Sequence, residues 1–423
     1  MNTFIQKITL LLADPQMRGR LLFVLGALAV SRVLAAIPIP GIDAAQLELF
    51  LSNNQFFGLL NLFSGGGLSG LSLVMLGVGP YITASIVMQL MTLMIPRFKQ
   101  LYQEEGEAGR AKFAQYSRYL TFPLAIIQGI AFLSIMGQQG ILPGLTPVEF
   151  ATNILVIVAG SMFLMWIGEL ISEYGLGNGV SLIIFAGIVA GLPTALSQTV
   201  FGFDAAQIPT YLAFLVAGLA VVAAVVFITE SERPIPVTYA KRVRGMKFFG
   251  GASTYLPLRL NQAGVIPIIF AISFLLMPQM VASFFATSSN PTLAAVSGSI
   301  ISWLNNLPLY GSVYFILVFF FTYFYTAVTF EPNQIAENLQ KNGAFIPGVR
   351  PGPSTAQYLG SVITRITFVG ALFLAVIAVL PIIAQSLTGI QTIALGGTAL
   401  LIVVSVVLDL SRRIDAQISI REY

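Results

Sequence analysis

The sequence predicts an all-α polytopic membrane protein of ten transmembrane helices, arranged as two five-helix halves of opposite topology. Three observations carry that class. Only 9% of the 423 residues are charged and 56% are hydrophobic, whereas a soluble domain carries about 25% charged residues. Apolar runs of about 18 to 23 residues recur along nearly the whole chain, each long enough to cross roughly 30 Å of hydrocarbon as a helix. The Lys and Arg residues fall almost entirely into alternate loops.

Hydropathy, read against Gly, Pro and charge punctuation, places the first five spans near 20–37, 71–95, 117–136, 152–170 and 180–197. A second five lie near 209–229, 262–284, 309–330, 364–384 and 391–409. The first apolar run leads directly into IPIPGI with no small-residue cleavage site, so it is expected to be a retained span. The halves are 1–197 and 198–423, with long basic loops near 230–261 and 331–363 in the second. Such an arrangement is common among transport proteins.

Ten spans put both termini on one side, and the basic residues assign that side. Lys7, Arg18 and Arg20 precede span one; Arg97, Lys99, Arg110, Lys112 and Arg118 join spans two and three. Arg233, Lys241, Arg242, Arg244, Lys247 and Arg259 follow span six, and Lys341, Arg350 and Arg365 follow span eight. With Arg412, Arg413 and Arg421 after span ten, only Arg32 of the 21 basic residues lies elsewhere. The opposite loops hold Asp43, Glu48, Glu149 and Asp204 but no Lys or Arg. Both termini are therefore expected in the cytoplasm.

The sequence contains no Cys and no His. Disulfides, thiolate or imidazole metal sites and Ser-His-Asp catalysis are excluded. Carboxylates sit in loops or at span ends, not at mid-span where a proton or ion relay would need one. No enzyme and no cofactor is expected.

Residues 57–70, FGLLNLFSGGGLSG, are too short and glycine-rich to span yet too apolar for an ordinary loop. Each glycine costs a helix about 1 kcal/mol relative to Ala, so Gly65, Gly66 and Gly67 predict a break between a half-helix and span two. On sequence alone a re-entrant packing segment and a movable one are both open. Within span two, Gly77, Gly79 and Pro80 are expected to loosen the helix about a third of the way in.

Val78, Ile82, Ser85, Gln89 and Thr92 share one face of span two, aliphatic near mid-membrane and polar toward the cytoplasm. Span five runs likewise from Asn178 and Ser181 to Ile184 and Ile188, and span ten reverses the gradient through Ile402, Ser405 and Asp409. Walls of a funnel narrowing to an aliphatic ring would need this pattern. A general preference of polar residues for span ends would also give it.

Several ordered segments then carry a family resemblance. They include IPIPGID at 37–43, LGVGPYITASIVMQL, EEGEAGRAKFAQYSRY at 104–119 and MFLMWIGELISEYGLGNGVSLIIFAGIVAGLP at 162–193. The second half adds LPLRLNQAGVIPIIFA at 256–271, NGAFIPGVRPGPSTAQYL at 342–359 and GGTALLIVVSVVLD at 396–409. Over essentially its full length the chain resembles the SecY/Sec61-alpha family.

The resemblance implies a protein-conducting channel: a central hourglass pore between the halves, passage of unfolded secretory chains, and sideways release of transmembrane segments into lipid. It places a pore ring at Val78, Ile82, Ile184, Ile188, Ile269 and Ile402, Val78 being smaller than the family's usual residue. It places a plug near 57–70, including Leu60, Asn61, Phe63, Gly65, Gly66 and Gly67, and a lateral gate between spans two and three and spans seven and eight. Ser85, Gln89, Thr92 and Asn261 are the gate residues so implied. The implied partners are the SecE and SecG subunits, the motor ATPase SecA, the ribosome, signal peptides with their nascent chains, and the lipid of the bacterial plasma membrane. Arg350, Lys247 and Arg244 are the implied docking residues, although the family often has paired basics where Met246 and Lys247 stand here. For Arg350, flanking Pro347, Pro351 and Pro353 stiffen the loop and favour partner binding over a purely topological role.

Two other classes compete. A secondary transporter also suits ten spans and broken helices, but the expected mid-membrane coupling residues are missing. Intramembrane proteases need a His base or two intramembrane Asp residues, and neither pattern is present.

Overall fold

In the computed structural model the described residues are 14–39, 67–68, 70–103, 105–138, 146–201, 208–239, 242–244, 247–249, 253–285, 290–304, 306–388 and 391–422. The first half comprises α1 (Pro15–Ala36), α2 (Gly79–Met94), α3 (Pro96–Gln103), α4 (Gly106–Gln138), α5 (Pro147–Tyr174) and α6 (Gly179–Phe201). The second begins with α7 (Ile208–Glu230) and continues through strands β1 (Glu232–Tyr239), β2 (Arg242–Arg244), β3 (Lys247–Phe249) and β4 (Ser253–Arg259). It is completed by α8 (Ile266–Phe285), α9 (Pro291–Leu304), α10 (Leu307–Thr329), α11 (Pro332–Lys341), β5 (Ala344–Phe345), α12 (Pro353–Thr388) and α13 (Gln391–Glu422).

Helix starts follow local chemistry. Asp14 caps α1 by accepting from the Gln16 N–H at 2.9 Å, with Pro15 in the first turn. Thr146 and Glu149 form a reciprocal capping box on α5, satisfying two N–H groups that would otherwise lack partners. The 33-residue α4, 36-residue α12 and 32-residue α13 run past their predicted apolar spans into polar sequence at one end. Hydropathy marks only the part of a helix that meets lipid, so their polar turns escaped it.

Span two, expected over 71–95 with its helix loosened at Gly77, Gly79 and Pro80, is helical only beyond that point. Residues 71–78 form a tight irregular turn, and helix begins only at Gly79. Leu71 holds φ 40° and Gly77 φ 56°, and Pro80 in the first turn has no N–H to donate. The turn pairs with the end of α1's chain: the Ile39 N–H donates to Leu71 O at 2.8 Å and the Leu73 N–H to Ile37 O at 3.0 Å. Gly67 is needed there, because a Cβ would lie 2.8 Å from the Val74 carbonyl oxygen. At its other end α2 stops before Pro96, and α3 turns sharply away.

The helices pack in a closed circuit. In the first half α1 lies on α5 and α6, α5 on α4 and α6, and α4 on α2. In the second, α8 leads to α10, α10 to α12, α12 to α13 and α13 to α7. The halves meet where α8 packs on α2 and α4, and again where α6 packs on α13.

The loops after α7 and α10 are not independent. Strands run in the order β4-β1-β5, all antiparallel, so Thr238 and Tyr239 of one loop pair with Phe345 and Ala344 of the other. Ile235, Val237 and Leu258 form a small core with Ile346, Leu359 and Ile363. From the sequence this region is expected to be loop. The alternating burial of Ile235 and Val237 between exposed prolines was the period-two signal available for a strand.

Candidate pore, seam and docking surface

The six aliphatic residues expected at the constriction are all buried in the main hydrophobic core. Val78 at the N-cap of α2, Ile82 on α2, Ile184 and Ile188 on α6, Ile269 on α8 and Ile402 on α13 belong to one hydrophobic cluster. Each is 8% exposed or less. They lie on two helices of each half, within a core that also takes in Val24, Val225, Tyr314 and Leu374.

Away from these residues, exposure rises along two of the three faces that run from aliphatic to polar. On α13, Ile402 is buried, Ser405 half-buried and Asp409 exposed. Toward the start of α6, buried Ile188 and Ile184 give way to half-buried Ser181 and exposed Asn178. On α2 the progression stops short: Ser85 and Gln89 are half-buried, but Thr92 is buried and its hydroxyl donates back to Gln89 O at 2.6 Å. Ser85 hydrogen-bonds Tyr81.

At the seam between halves, a crevice of about 550 Å³ opens among α2, α4 and α8, lined by Leu76, Ile82, Ile127, Leu276, Met277 and Phe285. Its polar side chains are Thr83, Gln128 and Ser273, none of them marked by the sequence; Gln128 Nε2 lies 3.5 Å from Thr83 Oγ1. Asn261, expected at the gate, sits in the turn before α8, where its Nδ2 donates to Gly264 O at 3.2 Å. That turn packs the Leu260 carbonyl against Gly370 of α12. At one end of the seam, Lys99 of α3 lies 3.7 Å from Glu331, the N-cap of α11. This link between halves was also missed, because its partners are 232 positions apart (331 − 99).

Arg350 is exposed, in a turn pinned by the Thr355 hydroxyl donating to Arg350 O at 2.8 Å. The backbones of Arg244 and Lys247 face each other across the β2–β3 hairpin. Of the expected plug, Gly67 is described and buried; Leu60, Asn61, Phe63, Gly65 and Gly66 lie outside the described residues. Among the described residues no cluster of His, Cys, Asp or Glu could hold a metal.

A family model described as SecY matches residues 72–411. A protein translocase subunit SecY from Synechocystis is 42% identical over 415 residues, covering 96% of this chain and 93% of the relative. The one from Haemophilus influenzae is 41% identical over 424 residues, with the same coverage of 96% and 93%. Among solved structures, a protein conducting channel superposes with TM-score 0.64 at 20% identity, over 93% of this chain and 90% of that one. A canine ribosome–channel complex contains a Sec61 that superposes with TM-score 0.63 at 20% identity, over 93% and 90% of the two chains. These structures share the fold, which implies ten spans. Among the described residues, five helical stretches are long and apolar enough to cross a membrane individually, and a sixth arises if α2 and α3 count as one bent span.

Proposed function

Because this chain belongs to the SecY family, we propose that it is the pore subunit of a protein-conducting channel, moving unfolded secretory chains across the membrane and releasing transmembrane segments into lipid. The observation that supports this is the burial of Val78, Ile82, Ile184, Ile188, Ile269 and Ile402, drawn from both halves, within one hydrophobic core. A translocating chain brings unpaired N–H and C=O groups that cost several kcal/mol each in hydrocarbon, so it needs an aqueous path. An aliphatic ring can part around any side chain and close again without finding specific hydrogen bonds. When empty, it excludes water and therefore ions.

The seam of α8 against α2 and α4 is the lateral gate in this proposal. Its apolar crevice suits a segment of about 20 apolar residues leaving for lipid. The segment near 57–70 acts as the plug.

The halves are 1–197 and 198–423, with both termini and the sheet on the cytoplasmic side of a bacterial plasma membrane. The basic bias toward that side supports the orientation. Arg350 and the β2–β3 hairpin carrying Arg244 and Lys247 form the docking surface for SecA or the ribosome. SecE and SecG complete the complex. Joining of the two loops through β1 and β5 would let a load on one be felt by the other.

The test is reconstitution with SecE and SecG in vesicles, with SecA and ATP outside. Protease protection of a secretory precursor that depends on this subunit is expected; accumulation of a small solute with no precursor import would instead favour a secondary transporter.

A further inference from the structure

Helix α9 is apolar, is not marked as an element by the sequence, and supplies none of the expected ring residues and none of the seam crevice's lining. It is 14 residues long, PTLAAVSGSIISWL. At 1.5 Å per residue it extends about 21 Å, too short to cross roughly 30 Å of hydrocarbon. It packs on α8 and α10 through a narrow stripe, with Ser297 and Leu304 buried and Ala294 and Ile301 half-buried.

The remaining surface of α9 points away from the protein and is also apolar. Leu293, Val296, Ile300 and Trp303, spaced three, four and three, are all exposed. No charged residue occurs anywhere from Leu260 to Phe330. The exposed hydroxyls make no demand on water: Ser299 donates to Ala295 O at 2.9 Å and Ser302 to Ser299 O at 2.9 Å, both within the helix. A helix facing bulk water would have little reason to expose four large apolar side chains while turning its hydroxyls inward.

Chain connectivity fixes its level. Only 286–290 separate it from the end of α8, and only 305–306 from the start of α10. Both ends of α9 therefore lie near one boundary of the membrane, at the end of α8 away from the sheet. The exposed face continues the apolar outer faces of its neighbours, which include Met277 and Val281 on α8 and Leu309 and Ile316 on α10. Polar groups mark its two ends, where Asn290 Oδ1 accepts from the Thr292 N–H at 3.1 Å and the Asn306 N–H donates to Trp303 O at 3.2 Å.

We propose that α9 is an interfacial helix whose Leu293, Val296, Ile300 and Trp303 face rests on the acyl chains just beneath the headgroups of the leaflet remote from the sheet, seating α8 on the lipid. Trp303 is suited to that depth, its ring facing hydrocarbon and its N–H the headgroups. Because α8 also lines the seam, its movement away from α2 and α4 would carry α9 along the lipid surface. The inference rests on the membrane reading and not on translocation, so its test does not depend on transport activity.

The chain has only two tryptophans, Trp166 and Trp303. Trp166→Phe, at an exposed position on α5, leaves Trp303 as the sole indole. The full chain carrying that change, assembled with its small subunits, is reconstituted in phosphatidylcholine/phosphatidylglycerol vesicles with bromine placed at different acyl depths. Quenching by bromines near the glycerol end, stronger than by those near the methyl end and with little effect of aqueous iodide, is the expected result. Adding Ile300→Glu, which removes an exposed side chain, should weaken the bromolipid quenching. Strong iodide quenching would place α9 in water. Quenching by neither would show a protein partner covering it, and strongest quenching at the methyl end would make it a re-entrant segment; each of these overturns the proposal.

Discussion

Replacing Ile402 with Asn should open the channel without unfolding it. Ile402 is 2% exposed in the α13 wall of the aliphatic cluster. An amide buried there has no partner to meet, which costs about 1–3 kcal/mol. In the open pore the same amide faces water and the cost vanishes, so the penalty falls on the closed state alone. The closed-to-open ratio should fall about 5- to 150-fold. Ile402→Val is the control: it loses one methylene, costs about 0.5–1.5 kcal/mol of packing, and keeps the constriction dry. Conductance of reconstituted channels in a planar bilayer reads the leak, and secretion of a precursor with a defective signal reads stringency. The Asn variant should raise both and the Val variant neither. A folded Asn variant with unchanged leak and unchanged stringency would remove Ile402 from the constriction.

Other expectations concern the ends of the helices and their contacts. Arg350→Glu should leave insertion and the ion seal intact while SecA affinity falls steeply, by the equivalent of about 2–5 kcal/mol at a desolvated contact; normal affinity and normal secretion would leave Arg350 a topological charge only. Lys99→Glu should break the link to Glu331 and favour separation of the halves by about 0.2–1 kcal/mol, with Lys99→Glu/Glu331→Lys restoring the original value and high salt erasing the difference. Failure of the swapped pair to restore single-channel open probability would show that the contact does not bear on opening. Gly160→Ala drives a Cβ into the Leu73 carbonyl of the turn before α2, so melting in detergent should show a loss of about 1–3 kcal/mol, and an unchanged melting profile would contradict that packing.

The sequence disclosed most where one physical rule acts over many residues. Lipid solvation sets the apolar spans, and helical spacing singled out Val78, Ile82, Ile184, Ile188 and Ile402, all of which are buried in one hydrophobic core with Ile269. It disclosed least where long-range contact decides. The turn at 71–78 is held by backbone pairing to Ile37 and Ile39, a partnership that hydropathy cannot register. The β1–β5 pairing joins loops separated by two membrane helices and α9, and Lys99 finds Glu331 only because the halves close on each other. Helix α9 escaped because its run is shorter than a span and carries no charge to mark its ends.

Site-specific crosslinking from Ile82 and Ile188 tests the central claim most directly. A secretory chain stalled in transit should crosslink to photoreactive groups at both positions, since they lie in one cluster on α2 and α6. A group at Phe227, which is exposed on the outer face of α7, should give no such product. Crosslinking at Phe227 with none at Ile82 and Ile188 would mean that the translocating chain does not pass through this constriction.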